Sequence, residues 1–249
     1  MAGHSKWANI KRRKAVVDQQ RGKVFTRHAR EIITAARQGG GDPDANVRLR
    51  SAVTAAKAVN MPNANIEKAI KRGTGEIEGA AFEEISYEGY GPGGVALFLD
   101  VVTDNRNRTV AEIRHTLSKH NGSLGENGCV AWMFEQKGNI VIPADGLGED
   151  AVMELVVDAG ADDFSREGDV WEIVTAPTEL FNVREALEKK GVPVESADLV
   201  RVPQNTVKLE GKQAESMIRL MEALEDQDDV QRVSANFDIP DDILQALGD

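Results

Sequence analysis

The chain of 249 residues has one cysteine, Cys129, so no disulfide can close within it, and a reducing cytoplasm is the compartment expected. Apolar runs are short. None approaches the roughly 18 residues that a membrane span requires, and the N-terminus lacks the apolar stretch of a secretory signal. Histidine is scarce: His4, His28, His115 and His120 do not fall with Cys129 into a metal-ligand spacing, and there is no C-x-x-C pair. His115 and His120 stand five apart on a helical pattern and so do not share a face. Neither a G-x-S-x-G elbow nor a Walker loop occurs. Cys129 opens an apolar run and reads as a small core residue. With these features missing, no catalytic residue, metal or cofactor is expected.

What the chain has is charge, unevenly placed. Its formal net charge is −11. Residues 1–75 hold sixteen Lys/Arg against five Asp/Glu, a net of +11, whereas the other 174 residues hold fourteen against thirty-six, a net of −22. Two bodies of opposite sign share one chain, which points to a polyanionic partner for the first. Lys6, Lys11, Arg12, Arg13 and Lys14 are followed by Arg21, Lys23, Arg27 and Arg30, with Trp7 among them. Neutralised phosphates release counterions, and an exposed aromatic can stack on an unpaired base. These ten residues are the candidate nucleic-acid contacts. The acidic run "EALEDQDD" (222–229) reads most simply as a solvated helix end.

Periodicity and punctuation divide the rest. Phe25, Ala29, Ile32, Ile33 and Ala36 recur at helical spacing up to "GGG" at 39–41. A second helix is expected to open at Asp42-Pro43 and to pack through Leu49, Ala52, Val53, Ala56 and Val59. A third runs from Asn63 to Arg72. Beyond Gly79 the pattern becomes mixed. Strands are expected at 95–103, 129–135, 139–142, 162–165, 170–175, 194–202, 206–210 and 229–236. Helices are expected from Thr109, through a capping box, to His120 and at 149–159, 178–190 and 212–225. The central run has the βαββαβ order of a ferredoxin-like domain, and its flanks are two βαβ halves. The expected fold is therefore multidomain α+β. A basic arm and three-helix bundle (1–75) precede an outer ferredoxin-like domain (76–136 and 205–249), into which a second one (137–204) is inserted. Two consecutive α/β domains, with 129–142 as a hairpin, are the alternative.

Two loops are candidate anion sites. "GYGPGG" (89–94) precedes a strand and does not open a helix, so it reads as a tight turn. Asn105, Arg106, Asn107 and Arg108 instead sit between a strand end and a helix start, where free N–H groups favour an anion such as phosphate. A capped polar loop accounts for the same residues.

Taken together, "AGHSKWANIKRRKAVVDQQRGKVF", "YEGYGPGGVA", "TDNRNRT" and "GENGCVAWMF" resemble the YebC family of probable transcriptional regulators and its mitochondrial translational-activator relatives, from Met1 to the C-terminal strands. The resemblance implies a helical N-terminal domain plus two α/β domains and a non-catalytic cytoplasmic factor in gene expression, acting on DNA or on ribosomes. The residues themselves lean toward RNA, because no groove-reading helix is apparent and a basic arm suits the dense phosphate and unstacked bases of ribosomal RNA. DNA-binding transcriptional regulation is the alternative. A small-ligand sensor or enzyme would require the 105–108 loop to line a pocket.

Overall fold

The computed structural model describes residues 21–240 and Ile243. The chain opens with helices α1 (Arg21–Gly39), α2 (Val47–Ala58) and α3 (Asn63–Gly73). Ile32, Ile33 and Ala36 of α1 meet Leu49, Ala52 and Ala56 of α2 and Ile66 and Ala69 of α3 in one core. Small residues let these helices approach closely. A Cβ added to Gly73 would stand 2.6 Å from both the Ala36 Cβ and the Ile33 carbonyl oxygen, so any side chain there would push α3 off α1.

The second helix does not open at Asp42-Pro43. Residues 43–45 form a turn, and the N-cap is Asn46. Its side-chain oxygen accepts from Leu49 N at 3.1 Å, while its amide donates to Ala35 O and Gly40 O, both at 2.8 Å. One buried amide therefore serves the end of α1 and the start of α2 at once, which the exposed Asp42 is not placed to do.

The first sheet has the order β3-β1-β2-β9, from strands β1 (Glu83–Tyr90), β2 (Ala96–Thr103), β3 (Ser123–Leu124) and β9 (Val230–Ala235). β1 and β2 form an antiparallel hairpin closed by "GYGPGG", where Gly93 and Gly94 take positive φ. Helices α4 (Arg106–Lys119) and α7 (Gly211–Glu225) cover one face, burying Ile113, Leu117, Met217, Leu220 and Leu224 against Leu97, Leu99 and Val233. β1 was absent from the sequence expectation, because only its last residues are buried and "EEISYEGY" carries little apolar signal. It takes an inner place in the sheet, between β3 and β2. The strand expected at 206–210 shrinks to β8 (Val207–Lys208), which pairs in parallel with β10 (Phe237–Asp238) outside this sheet.

The strand expected at 129–135 is also corrected. Its first part is a turn with a 3-10 segment at Ala131–Met133. The cause is Glu88, only 5% exposed, whose carboxylate accepts from Gly128 N, Val130 N and Ala131 N at 2.6, 2.7 and 2.8 Å. Donors spent on a carboxylate cannot join a ladder. Burial pushes the Glu88 carboxyl up, but these three N–H groups outweigh it and hold it below the ordinary carboxylate range. The bound loop lays Val130 and Phe134 on the second face of the sheet, where the Phe98 and Phe134 rings meet edge-on at 6.4 Å.

From Phe134 the chain builds a second sheet. β4 (Phe134–Pro143) merges two expected strands, and β5 (Asp163–Glu167), β6 (Val170–Thr175) and β7 (Ser196–Pro203) complete the order β5-β6-β4-β7. Every pairing in it is antiparallel, and α5 (Glu149–Ala159) and α6 (Leu180–Lys189) pack on it through Val152, Val156, Val183 and Leu187. This is the ferredoxin-like arrangement. Its two ends lie side by side, since Phe134 pairs with Pro203 and Gln136 with Arg201. Arg201 stacks 3.9 Å from the Phe98 ring centroid and reaches Asp100 at 3.3 Å, linking the two sheets. Excising residues 137–204 and bridging the gap with a short Gly/Ser linker should leave a protein that melts cooperatively with native-like circular dichroism, at a lowered Tm because the Arg201 contacts go with the insert. An aggregated or non-cooperative product would show that the two sheets do not fold apart.

Candidate nucleic-acid interface

Helix α1 places Lys23, Arg27 and Arg30 along one side, as 3.6-residue periodicity requires. That side is not wholly given to solvent. It meets the acidic end of α7. Lys23 Nζ pairs with Asp226 Oδ1 at 2.6 Å, Arg27 Nη2 donates to Glu225 O at 2.5 Å, and Arg30 Nη1 pairs with Asp229 Oδ1 at 2.8 Å and also donates to Asp228 O. The run "EALEDQDD" is therefore not simply a solvated helix end. Its last carboxylate is 4% exposed and sits between the helical unit and the first sheet.

Asp229 also meets, through Arg108, the loop for which an external anion was one of two readings. The helix α4 opens at Arg106 with Asn105 as its cap, four residues before the Thr109 cap that the sequence suggested. Asn105 Oδ1 accepts from Arg108 N at 3.1 Å. Thr109 is buried, and its hydroxyl donates to Asp229 Oδ2 at 2.5 Å. Thr103 Oγ1 lies 3.1 Å from the same oxygen, and Arg108 Nη2 2.7 Å. Burial alone would raise the Asp229 carboxyl. The bonds from Arg108 and Thr109, the charge of Arg30 and the Thr103 hydroxyl outweigh burial and hold it below its usual range. Arg108 has a second partner, Asp104, at 2.9 Å. The cleft beside this loop is lined by Lys23, Arg30, Asp104, Arg108, Asp226 and Asp229, whose charges answer one another. Arg106 is exposed and has no side-chain partner among the described residues, and Asn107 is exposed beside it.

Every described arginine side chain on α1 and α2 is engaged within the chain. Arg37 donates to Phe82 O, Arg50 to Pro43 O and Asp44 O, and Arg48 to Glu31, Gln38 and Glu84, in addition to Arg27 and Arg30. On α1 to α3 the cations whose side chains make no hydrogen bond or ion pair among the described residues are Lys57 on α2 and Lys68, Lys71 and Arg72 on α3, all exposed. Sequence reasoning passed over them, although "KAIKRG" is a basic cluster on the last turns of a helix. Lys6, Trp7, Lys11, Arg12, Arg13 and Lys14 lie outside the described residues, as does the side chain of Arg21. Trp132, 64% exposed, is the aromatic among the large apolar side chains that the described residues leave exposed.

For covalent or metal chemistry the described residues offer little. No three of their His, Cys, Asp or Glu side chains converge as a metal-holding group. Burial and the neighbouring Glu88 charge push the Cys129 thiol up, away from the thiolate a nucleophile needs. No described helix is long and apolar enough to cross a membrane.

Comparison with known proteins agrees with this architecture. Residues 5–76 match the family model described as the TACO1/YebC protein N-terminal domain, and residues 82–237 match the TACO1/YebC second and third domain. A protein of Pelotomaculum thermopropionicum named "Probable transcriptional regulatory protein" is 60% identical over 243 residues, covering 97% of this chain and 100% of that protein. One of the same name from Syntrophobacter fumaroxidans is 56% identical over 248 residues, covering 99% of this chain and 100% of the relative. The crystal structure of a conserved hypothetical protein from Aquifex aeolicus superposes with a TM-score of 0.86 at 51% identity, covering 92% of this chain and 94% of that one.

Proposed function

Because the chain belongs to the TACO1/YebC family, we propose that it is a non-enzymatic regulator of gene expression that binds nucleic acid, with ribosomal RNA as its target and the basic N-terminal arm as its point of contact. The observation that carries RNA over duplex DNA is the engagement of the arginines on α1 and α2. Sequence readout in a major groove depends on free side chains, above all arginine, reaching base edges from a helix. Here Arg27, Arg30, Arg37, Arg48 and Arg50 are all bonded within the chain. The cations that are not so bonded, on the last turns of α3, suit phosphate contact without base readout. The acidic bulk of residues 76–249 repels a polyanion on average, which favours the basic end as its first contact.

Trp7 tests the reading. A stacked Trp contributes roughly 1–3 kcal/mol per base only where the base is unpaired; on intact duplex it must wedge into a kinked step. Trp7→Ala should weaken binding to looped ribosomal RNA fragments about tenfold or more and leave binding to duplex DNA almost unchanged. The measurement is a competition titration against RNA fragments, a promoter duplex and random duplex. Transcriptional regulation, the role named for the relatives, predicts one duplex bound about a thousandfold above random DNA. Selective binding of a promoter, insensitive to Trp7, would overturn the RNA reading.

A further inference from the structure

Cations are scarce in the acidic two-thirds of the chain. Residues 76–240 contain fourteen Lys/Arg, and half of them pair with a carboxylate within 4.0 Å, among them Arg108, Lys137, Lys190, Arg201 and Arg232. Three of the other seven, Lys119, Lys212 and Arg219, gather around one open cleft with His120, Glu215 and Ser216. Two helix ends bring them together. Lys119 is the last residue of α4 and His120 its C-cap, while Lys212 stands in the first turn of α7 and Arg219 two turns further along it. The Ser216 hydroxyl donates to His120 O at 3.5 Å and ties the two ends. Among the described residues no carboxylate comes within ion-pairing distance of the three cations, Glu215 included, although it lies within a helical turn of both Lys212 and Arg219.

Unpaired like charges held together repel, so their convergence in a body of net negative charge calls for an anion from outside. The lining side chains are exposed or half-buried, and none is a buried polar group of the kind that fixes a small ligand's orientation. An open groove with exposed cations matches a polymer's phosphates instead. Its position supports this. The opposite end of α4 carries Arg108, which meets the helical unit through Asp229. The 14 residues of α4 separate the two ends by about 20 Å. A nucleic acid held by the N-terminal arm would find a second grip within reach, and the second contact would form at high effective concentration.

We propose that the Lys119–Lys212–Arg219 cleft is a second contact for the phosphate backbone of RNA, distinct from the basic arm. This rests on the nucleic-acid reading above. The test uses the full chain and a labelled RNA hairpin with single-stranded flanks, titrated at several salt concentrations. Lys119→Ala, Lys212→Ala and Arg219→Ala combined should weaken binding about tenfold and reduce the log–log salt slope by about 2, at roughly 0.7 per contact. The charge-keeping set Lys119→Arg, Lys212→Arg and Arg219→Lys should restore both. His120 gives a local readout. In the free protein burial and the charges of Lys119 and Arg219 hold its imidazole below the ordinary value, and a bound phosphate should raise it, visible as a shifted imidazole titration by NMR. If the wild type binds with a steep salt dependence while the triple Ala variant matches it and His120 does not move, the cleft is overturned and the arm's role stands. If the wild type shows no salt-dependent RNA binding, the nucleic-acid reading fails and the cleft fails with it.

Discussion

Changing Lys11, Arg12, Arg13 and Lys14 together to Ala is expected to weaken RNA binding on the order of a hundredfold at physiological salt and to flatten the log–log salt slope by about 3. The loss should be of similar size for RNAs of unrelated sequence, because phosphate contacts carry no sequence information. Thermal stability should hardly change: residues 1–20 carry only scattered apolar positions, with no stripe to bury. Filter binding across a salt series, alongside a melting curve, measures both. Unchanged affinity and slope would reduce the arm to a solubilising tail. A loss confined to one RNA would instead mean that the arm reads sequence.

Asp229→Asn should cost about 3 kcal/mol at neutral pH, since it strips the charge from a buried carboxylate facing two arginines. The partners make the case. Arg30, whose side chain is 12% exposed, loses its counter-charge, and Thr109, fully buried, loses a charged acceptor at 2.5 Å. In a chain of this length such a loss lowers Tm by roughly 10 °C. Lys23→Ala, which removes an ion pair about half-exposed on both sides, should change Tm by only about a degree. Acid provides an independent check. The folded carboxyls of Asp229 and Glu88 lie below their ordinary values, so the stability they supply is complete above an unfolded pKa of about 4 and is lost as pH falls through the folded values. Wild-type Tm should therefore drop on acidification below about pH 4. Asp229→Asn, which already lacks one of these contributions, should drop less. A variant that melts and titrates like the wild type would show that this junction contributes no stability.

The basic first 75 residues and the acidic remainder are visible in the residue order alone, because net charge needs no geometry. Long periodic segments were equally legible: α1, α3, α5 and α6 stand close to where apolar spacing puts them, since a helix's buried stripe is written at local intervals. The βαββαβ order of the second sheet followed from the same local grammar. Errors fell where a side chain from far along the chain decides a local structure. Glu88 turns the 129–133 segment away from a sheet by taking its N–H groups, across some forty residues. Asn46 starts α2 where Asp42-Pro43 promised an earlier start, because it can serve two helices at once.

The candidate site divides in the same way. That residues 1–75 carry the excess of positive charge could be read from composition. Which of those cations remain available could not. Arg30 and Asp229 are 199 positions apart in the chain and 2.8 Å apart in space, and no window of sequence contains both. Lys119, Lys212 and Arg219 are ordinary helix-surface residues until the antiparallel packing of α4 and α7 brings their ends together. Sequence alone determined the sign and amount of charge in each of the two segments of this protein. The tertiary structure decided which charges cancel and which remain, because Coulomb energy depends on distance through space and on burial, and the order of residues specifies neither.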